Sequence, residues 1–172
     1  AEGSFNTEIG VPLTMLRADE RTAYLVLEMG MRGEGHISYL CDIARPQIGV
    51  LINIGSAHLG MLGSKDAIAR AKGEIFDALP ADGRAVVLGD DPLVLAQVKR
   101  TIAPVITFGE GVTCDVRAVD VRLDSQARPS FTLNSGGQAE PVSLQFHGEH
   151  AVLNALAAAA VAVAAQPSGP HV

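Results

Sequence analysis

The sequence predicts an α/β protein whose doubly wound, mostly parallel sheet has a small antiparallel sheet attached. Three observations predict it. Between residues 22 and 108, short β-branched and aliphatic runs alternate with stretches of helical periodicity. From residue 115, strand-like runs follow one another with no helix between them. The last long stretch, residues 150–165, reads as an Ala-rich helix. At 172 residues and 48% hydrophobic content the chain is one domain with a full core. It has no Trp, so Val, Ile, Leu and Ala must fill that core.

In order, residues 6–18 follow a polar loop and form a short helix with Pro12 in its first turn. Residues 24–27 are a short apolar run ended by Glu28, which reads as a strand buried on both faces. A charged, Gly-rich loop follows, with Gly30, Arg32, Gly33, Glu34 and Gly35. Residues 36–44 are helical: Ile37, Leu40, Cys41 and Ala44 share a face, and Pro46 stops the helix. Residues 47–55 form a second buried strand that runs into Ser56, Ala57 and His58. Residues 65–79 are a helix closed by Pro80 and Gly83, and residues 84–88 are a third strand. Asp90, Asp91 and Pro92 start a helix that reaches about Arg100, with both aspartates read as caps. Residues 104–108 are a fourth strand. Residues 115–123, 130–133 and 142–146 are further strands, and Asn134, Ser135, Gly136 and Gly137 supply turn chemistry.

Charge and composition narrow the function classes. A net charge of −6 without a long basic run argues against nucleic-acid backbone binding. The Ala-rich stretch is too short and too weakly apolar to span a bilayer. No secretory signal pattern opens the chain. Cys41 and Cys114 lack metal-ligand spacing, so a reducing cytoplasm is expected. The chain starts abruptly in AEGSFNTEIG and ends in linker-like QPSGPHV, so it reads as a piece of a longer protein.

The candidate site residues lie where strands give way to loops. In open α/β sheets, ligands bind outside the carboxyl ends of strands. A carboxylate there, backed by flexible backbone, suits a hydrated Mg²⁺ near a phosphate, and Glu28 is placed for that. The alternative for Glu28 is a strand-end acid held by a helix N-terminus or an arginine. His58 follows the second strand and can share a metal or orient a phosphate with Glu28, or be an ordinary loop histidine. Lys72 falls in the middle of the apolar stripe made by Ile68, Ile75, Phe76 and Leu79. Arg70, Glu74 and Asp77 point elsewhere. Loss of hydration favours the neutral Lys72 amine, which can take up carbon dioxide as a carbamate and so become an anionic metal ligand. The alternative is a lysine that carries its head to the surface. On the last helix His150, Leu153, Asn154, Ala157 and Val161 lie on one side. The Asn154 amide fits an adenine edge, or else bonds to backbone. Arg32 either meets an anionic substrate or is a solvated loop residue. No Gly-rich loop ending in Lys-Ser or Lys-Thr occurs in the chain.

Together NTEIGVPLT, LEMGMRGEGHI, VLINIGSAHLG, AKGEIF, the DDP turn and GEHAVLNALAAA resemble, over nearly the whole chain and in order, the central domain of the Mur ligases. These are ATP-dependent amide-forming enzymes of peptidoglycan synthesis. The first two segments are most similar to the member that joins UDP-N-acetylmuramoyl-tripeptide to D-alanyl-D-alanine. The later ones are shared more widely, including with folylpolyglutamate and cyanophycin synthetases. The resemblance implies that residues 1–172 are one central ATPase domain, starting after the family's phosphate loop. The flanking UDP-sugar and C-terminal domains are absent from it. It implies ATP and Mg²⁺ as cofactors, Glu28 and His58 at the metal, and a carbamylated Lys72 that places metal and acyl phosphate. Lys72 and His58 are then the catalytic candidates, and Asn154 with His150 the nucleotide contacts. The family's GRHNxxN pattern stands here as GEHAVLN, so Glu149 and Ala151 do not inherit contacts from the Arg and Asn they replace. The loop Asn6, Thr7 and Glu8 is expected to face substrate. The isolated chain is expected to be inactive. The alternatives are a non-catalytic nucleotide- or partner-binding module, and a related ligase with a different amino-acid substrate.

Overall fold

The structure is a computed structural model that describes residues 5–55 and 59–166. Its frame is a six-stranded sheet whose strands lie side by side in chain order. β1 (Ile48–Leu51), β2 (Arg84–Leu88), β3 (Val105–Gly109) and β4 (Val116–Leu123) are parallel. β5 (Pro129–Ser135) and β6 (Gln138–Ser143) continue the sheet antiparallel. The expected antiparallel strands are therefore hydrogen-bonded into the main sheet itself.

Helices cover both faces. α1 (Gly10–Met15) and α2 (His36–Ala44) precede the sheet. α3 (Leu59–Leu62) and α4 (Lys65–Asp77) connect β1 to β2. α5 (Pro92–Leu95) and a 3₁₀ turn (Ala96–Arg100) connect β2 to β3. These crossovers pack on one face, and α6 (His150–Ala164) lies across β1 to β4 on the other. Ala85, Val86 and Val87 of β2 are consequently 0% exposed, whichever way their side chains point. That is the condition of a parallel strand with helices on both sides.

Local chemistry explains the boundaries. The Ser64 hydroxyl accepts from the Ala67 amide (3.1 Å) and starts α4. The Asp91 carboxylate accepts from the Leu93 amide (2.9 Å) and starts α5, with Pro92 next. Gly136 and Gly137 both have positive φ, 57° and 80°, which suits a two-residue hairpin turn that matches strand twist. Asp120, at φ 56°, marks the bulge where the β4–β5 register shifts between Val119 and Arg122.

Several expectations need correction. Residues 24–27 do not form a buried strand: Tyr24, Leu25 and Val26 are 71%, 42% and 77% exposed. The run belongs to no ladder of the sheet, and without a neighbour its side chains have nothing to pack under. The second strand shrinks to β1, whose ladder with β2 runs from Ile48 opposite Arg84 to Leu51 opposite Val87. The helix from residue 92 tightens after one turn into the 3₁₀ segment. The last strand lies earlier than residues 142–146, because the Gly136–Gly137 turn pairs Ser135 with Gln138 and fixes the register from there.

Candidate functional site

The site is built on the rim where β1, β2 and β3 end. Asn53, two residues past β1, presents its carbonyl there, and the Lys72 amine donates to it at 2.9 Å. Lys72 lies in the middle of α4, half-buried beside Ile68 and Phe76, which are fully buried. Burial lowers its pKa from the ordinary lysine value. The Lys72 stem lies in the apolar stripe that helix periodicity indicates, and its head meets the carbonyl of the exposed Asn53.

Glu28 is exposed, and its carboxylate accepts from the Asn6 amide group at 2.7 Å. The Gly30 amide donates to the Asn6 carbonyl at 2.6 Å, so Asn6 grips the chain on both sides of Met29. Met29 packs against the core, with its sulfur 3.8 Å from the Cys41 sulfur, and Met31 is buried. Where a helix N-terminus or an arginine was considered for Glu28, its hydrogen-bond partner among the described residues is an asparagine. Beside it, Asn6, Thr7, Glu8, Arg32, His36 and Tyr39 line an open cleft of about 440 Å³. Within the cleft the Arg32 amide donates to His36 Nδ1 at 3.2 Å, and Arg32 itself is exposed.

At the other end of the rim, Asp90 departs from the expected role. Its carboxylate accepts from the Glu110 and Gly111 amides, at 2.7 and 3.0 Å, and so ties the loop after β2 to the loop after β3. Only Asp91 is a cap. β4 overlaps β3 in just two register pairs, Phe108 with Val116 and Gly109 with Arg117. The remaining six residues of β4 therefore run past the rim by about 20 Å at the usual rise of a strand. The start of α6 is fastened to the turn beyond β4 by the Gly148 amide, which donates to the Ala127 carbonyl at 2.8 Å. His150 and Asn154, one helical turn apart, both stand exposed on that flank. Asn154 is thus no interior amide: the buried face of α6 is Ala151, Val152, Leu156, Ala157, Ala160 and Ala164. Small residues let the helix lie close on the sheet, and the amide is left free to meet something outside the protein.

His58 lies outside the described residues. Among those described, no three or more His, Cys, Asp or Glu side chains gather as a metal-binding group. A hydrated Mg²⁺ does not require such a cage: one or two carboxylates suffice, with phosphate oxygens and water completing the shell. Glu28, an exposed oxygen donor held by Asn6, fits that demand. The unmodified Lys72 amine is a donor and does not; only as a carbamate would it offer oxygen.

One residue that helical periodicity sent elsewhere turns out to be central. Glu74 is 6% exposed, and its two oxygens accept from the Gly35 and Ser38 amides at 2.6 and 3.0 Å. α2 begins after Gly35, which has no side chain to cap it, so its first amides need an acceptor from another part of the chain. That missing cap was the available signal.

Comparison with known proteins bears on the family and the fold. Residues 1–162 match the family model described as the Mur ligase middle domain. The UDP-N-acetylmuramoyl-tripeptide--D-alanyl-D-alanine ligase of Mycobacterium tuberculosis is 49% identical over 161 residues, covering 94% of this chain and 32% of that protein. The Bacillus subtilis protein of the same name is 39% identical, covering 92% and 33%. Among solved structures, MurF from Acinetobacter baumannii superposes with a TM-score of 0.88 at 36% identity, covering 95% of this chain and 36% of the other. MurF ligase from Thermotoga maritima in complex with ADP gives 0.78 at 27% identity, covering 98% and 42%. The chain thus spans about a third of the length of the curated relatives it matches.

Proposed function

Taking as premise that this chain belongs to the Mur ligase family, through its middle domain, we propose that it is the central ATPase domain of a ligase that joins D-alanyl-D-alanine to UDP-N-acetylmuramoyl-tripeptide. The observation that carries this reading is the Lys72 amine, half-buried in an apolar helix face and aimed at the rim through the Asn53 carbonyl. A desolvated amine at the carboxyl ends of parallel strands is suited to phosphoryl-transfer chemistry.

In the proposed reaction a carboxylate oxygen of the tripeptide attacks the γ-phosphorus of ATP, and ADP leaves. The free amine of D-alanyl-D-alanine then attacks the carbonyl carbon of the acyl phosphate, phosphate leaves, and the amine gives up a proton. Glu28 and His58 would hold Mg²⁺, which neutralises charge on the phosphates when bound. Lys72 contributes by adding its nitrogen to carbon dioxide with loss of one proton. The resulting carbamate replaces a cation by an anion at the rim. Asn154 and His150 face the adenine end of the nucleotide, one helical turn apart on the exposed flank of α6. The cleft lined by Asn6, Thr7, Glu8 and Arg32 faces the sugar-peptide substrate. The reaction belongs to the cytoplasm, where ATP is available, and two free cysteines accord with that compartment.

The test is ADP release by the complete ligase polypeptide that carries this chain. Release that requires the tripeptide and D-alanyl-D-alanine together is expected. Release indifferent to D-alanyl-D-alanine, or satisfied by another amine, would favour a related ligase. Nucleotide binding without turnover would favour a binding module. The 172-residue chain assayed alone is expected to give no turnover.

A further inference from the structure

We propose that Glu74 is a positioning residue, setting the place of the loop that carries Glu28 and Arg32 relative to Lys72. The proposal rests on the reading of the site given above. α4 holds two side chains two residues apart, about 200° round the helix. Lys72 reaches towards the sheet and the Asn53 carbonyl. Glu74 reaches the other way and holds the first amides of α2. One rigid helix therefore spans the distance between the exit of β1 and the entry of α2.

Nothing local competes with Glu74 for this work. The cap position of α2 is Gly35, at φ 84°, and no side chain of its own segment caps the helix. Each Glu74 oxygen takes one amide, which fixes both the distance and the rotation of α2 about α4. A carboxylate at a helix N-terminus also meets the positive end of the helix dipole. From Gly35 the chain runs back through Arg32 and the buried Met31 to Gly30 and Glu28, where Asn6 holds it. The loop is thus pinned at both ends and at one methionine, and Glu74 is the pin that refers it to the helix of Lys72. Arg70, also on α4, adds an exposed ion pair to Glu34 of the same loop at 3.4 Å, which screening leaves weak.

The critical variant is Glu74→Gln, which keeps the shape but presents an NH₂ group to one of the two amides. In the 172-residue chain, hydrogen exchange should quicken about tenfold at the amides of residues 29–38, with β1 to β3 unchanged. In the complete ligase the same variant should lower kcat about tenfold and raise the Mg²⁺ concentration for half-activity, with KM for D-alanyl-D-alanine unchanged. A purely structural cap would leave the Mg²⁺ dependence untouched, and that result overturns the proposal. Unchanged exchange at residues 29–38, or faster exchange throughout the sheet, also overturns it. If Glu74→Gln does not fold, Glu74→Asp keeps both oxygens on a stem one methylene shorter and should show the same pattern. A wild-type ligase that releases no ADP would refute the functional reading alone, and the exchange comparison would then decide the positioning role.

Discussion

Two apolar runs of nearly the same character meet opposite fates in this chain. Residues 84–88 become β2, the most thoroughly buried strand of the sheet, whereas residues 24–27 stay outside every ladder with Val26 77% exposed. Hydropathy does not separate them. β2 has β1 on one side and β3 on the other, with crossover helices and α6 on its two faces. Among the described residues, the earlier run is gripped beyond its end, where Asn6 holds Glu28 and Gly30. In and flanking α1, the apolar side chains of Ile9, Leu13 and Leu16 are likewise exposed. An apolar run thus states what a segment can become; its neighbours decide what it does become.

The largest expected effect tests that contrast directly. Val86→Asp places a carboxylate in the centre of β2 and should unfold the domain, at a cost above about 3 kcal/mol. Val26→Asp should move stability by no more than about 0.5 kcal/mol. Thermal melts followed by circular dichroism compare the two, and a comparable loss from Val26→Asp would show that the exposed run is packed after all. An intermediate effect is expected at Gly73 of α4. A Cβ there would stand 2.6 Å from the Gln97 side-chain oxygen, and Gln97 is buried with its amide on the Leu93 carbonyl. Gly73→Val should cost about 1–3 kcal/mol by overpacking, read from denaturant midpoints at unchanged m-value.

The smallest effect sharpens the account of Lys72. Its folded pKa is lowered by burial, so between that value and the ordinary lysine value the unfolded chain binds more protons than the folded one. Stability should therefore rise with pH through that window and level off above it. In buffer free of carbon dioxide, Lys72→Met should remove this slope, which urea titrations at a series of pH values would detect. A slope that persists in the variant would assign it to another group.

Much of the frame was legible. α2 and β2 fall on the residues their periodicity indicates, His36–Ala44 and Arg84–Leu88, because both are framed by Pro or Gly and filled by aliphatic residues. Lys72 was legible too, since a charge inside an apolar stripe is a local contradiction. Glu74 was not: it is buried by accepting two amides from α2, a long-range reason that the polarity of its own helix conceals. Helical spacing left Asn154 open between an adenine-facing amide and one bonded to backbone, and its exposure removes the interior alternative. The face that α6 turns to the sheet is the row from Val152 through Leu156 to Ala160, which puts Asn154 on the other side. Asp90 looked like half of a capping pair, yet its partners come from a loop some twenty residues later.

The short overlap between β3 and β4 has a mechanical consequence. With two residue pairs across it, this seam is the narrowest join in the sheet, and α6 is the element laid across both sides. Pulled apart by force, the molecule should open there first, parting the three-stranded meander from the β1–β3 core like a book whose spine is a single alanine-rich rod. Whatever presses on the outer flank of that rod would then change how firmly the two halves stay shut.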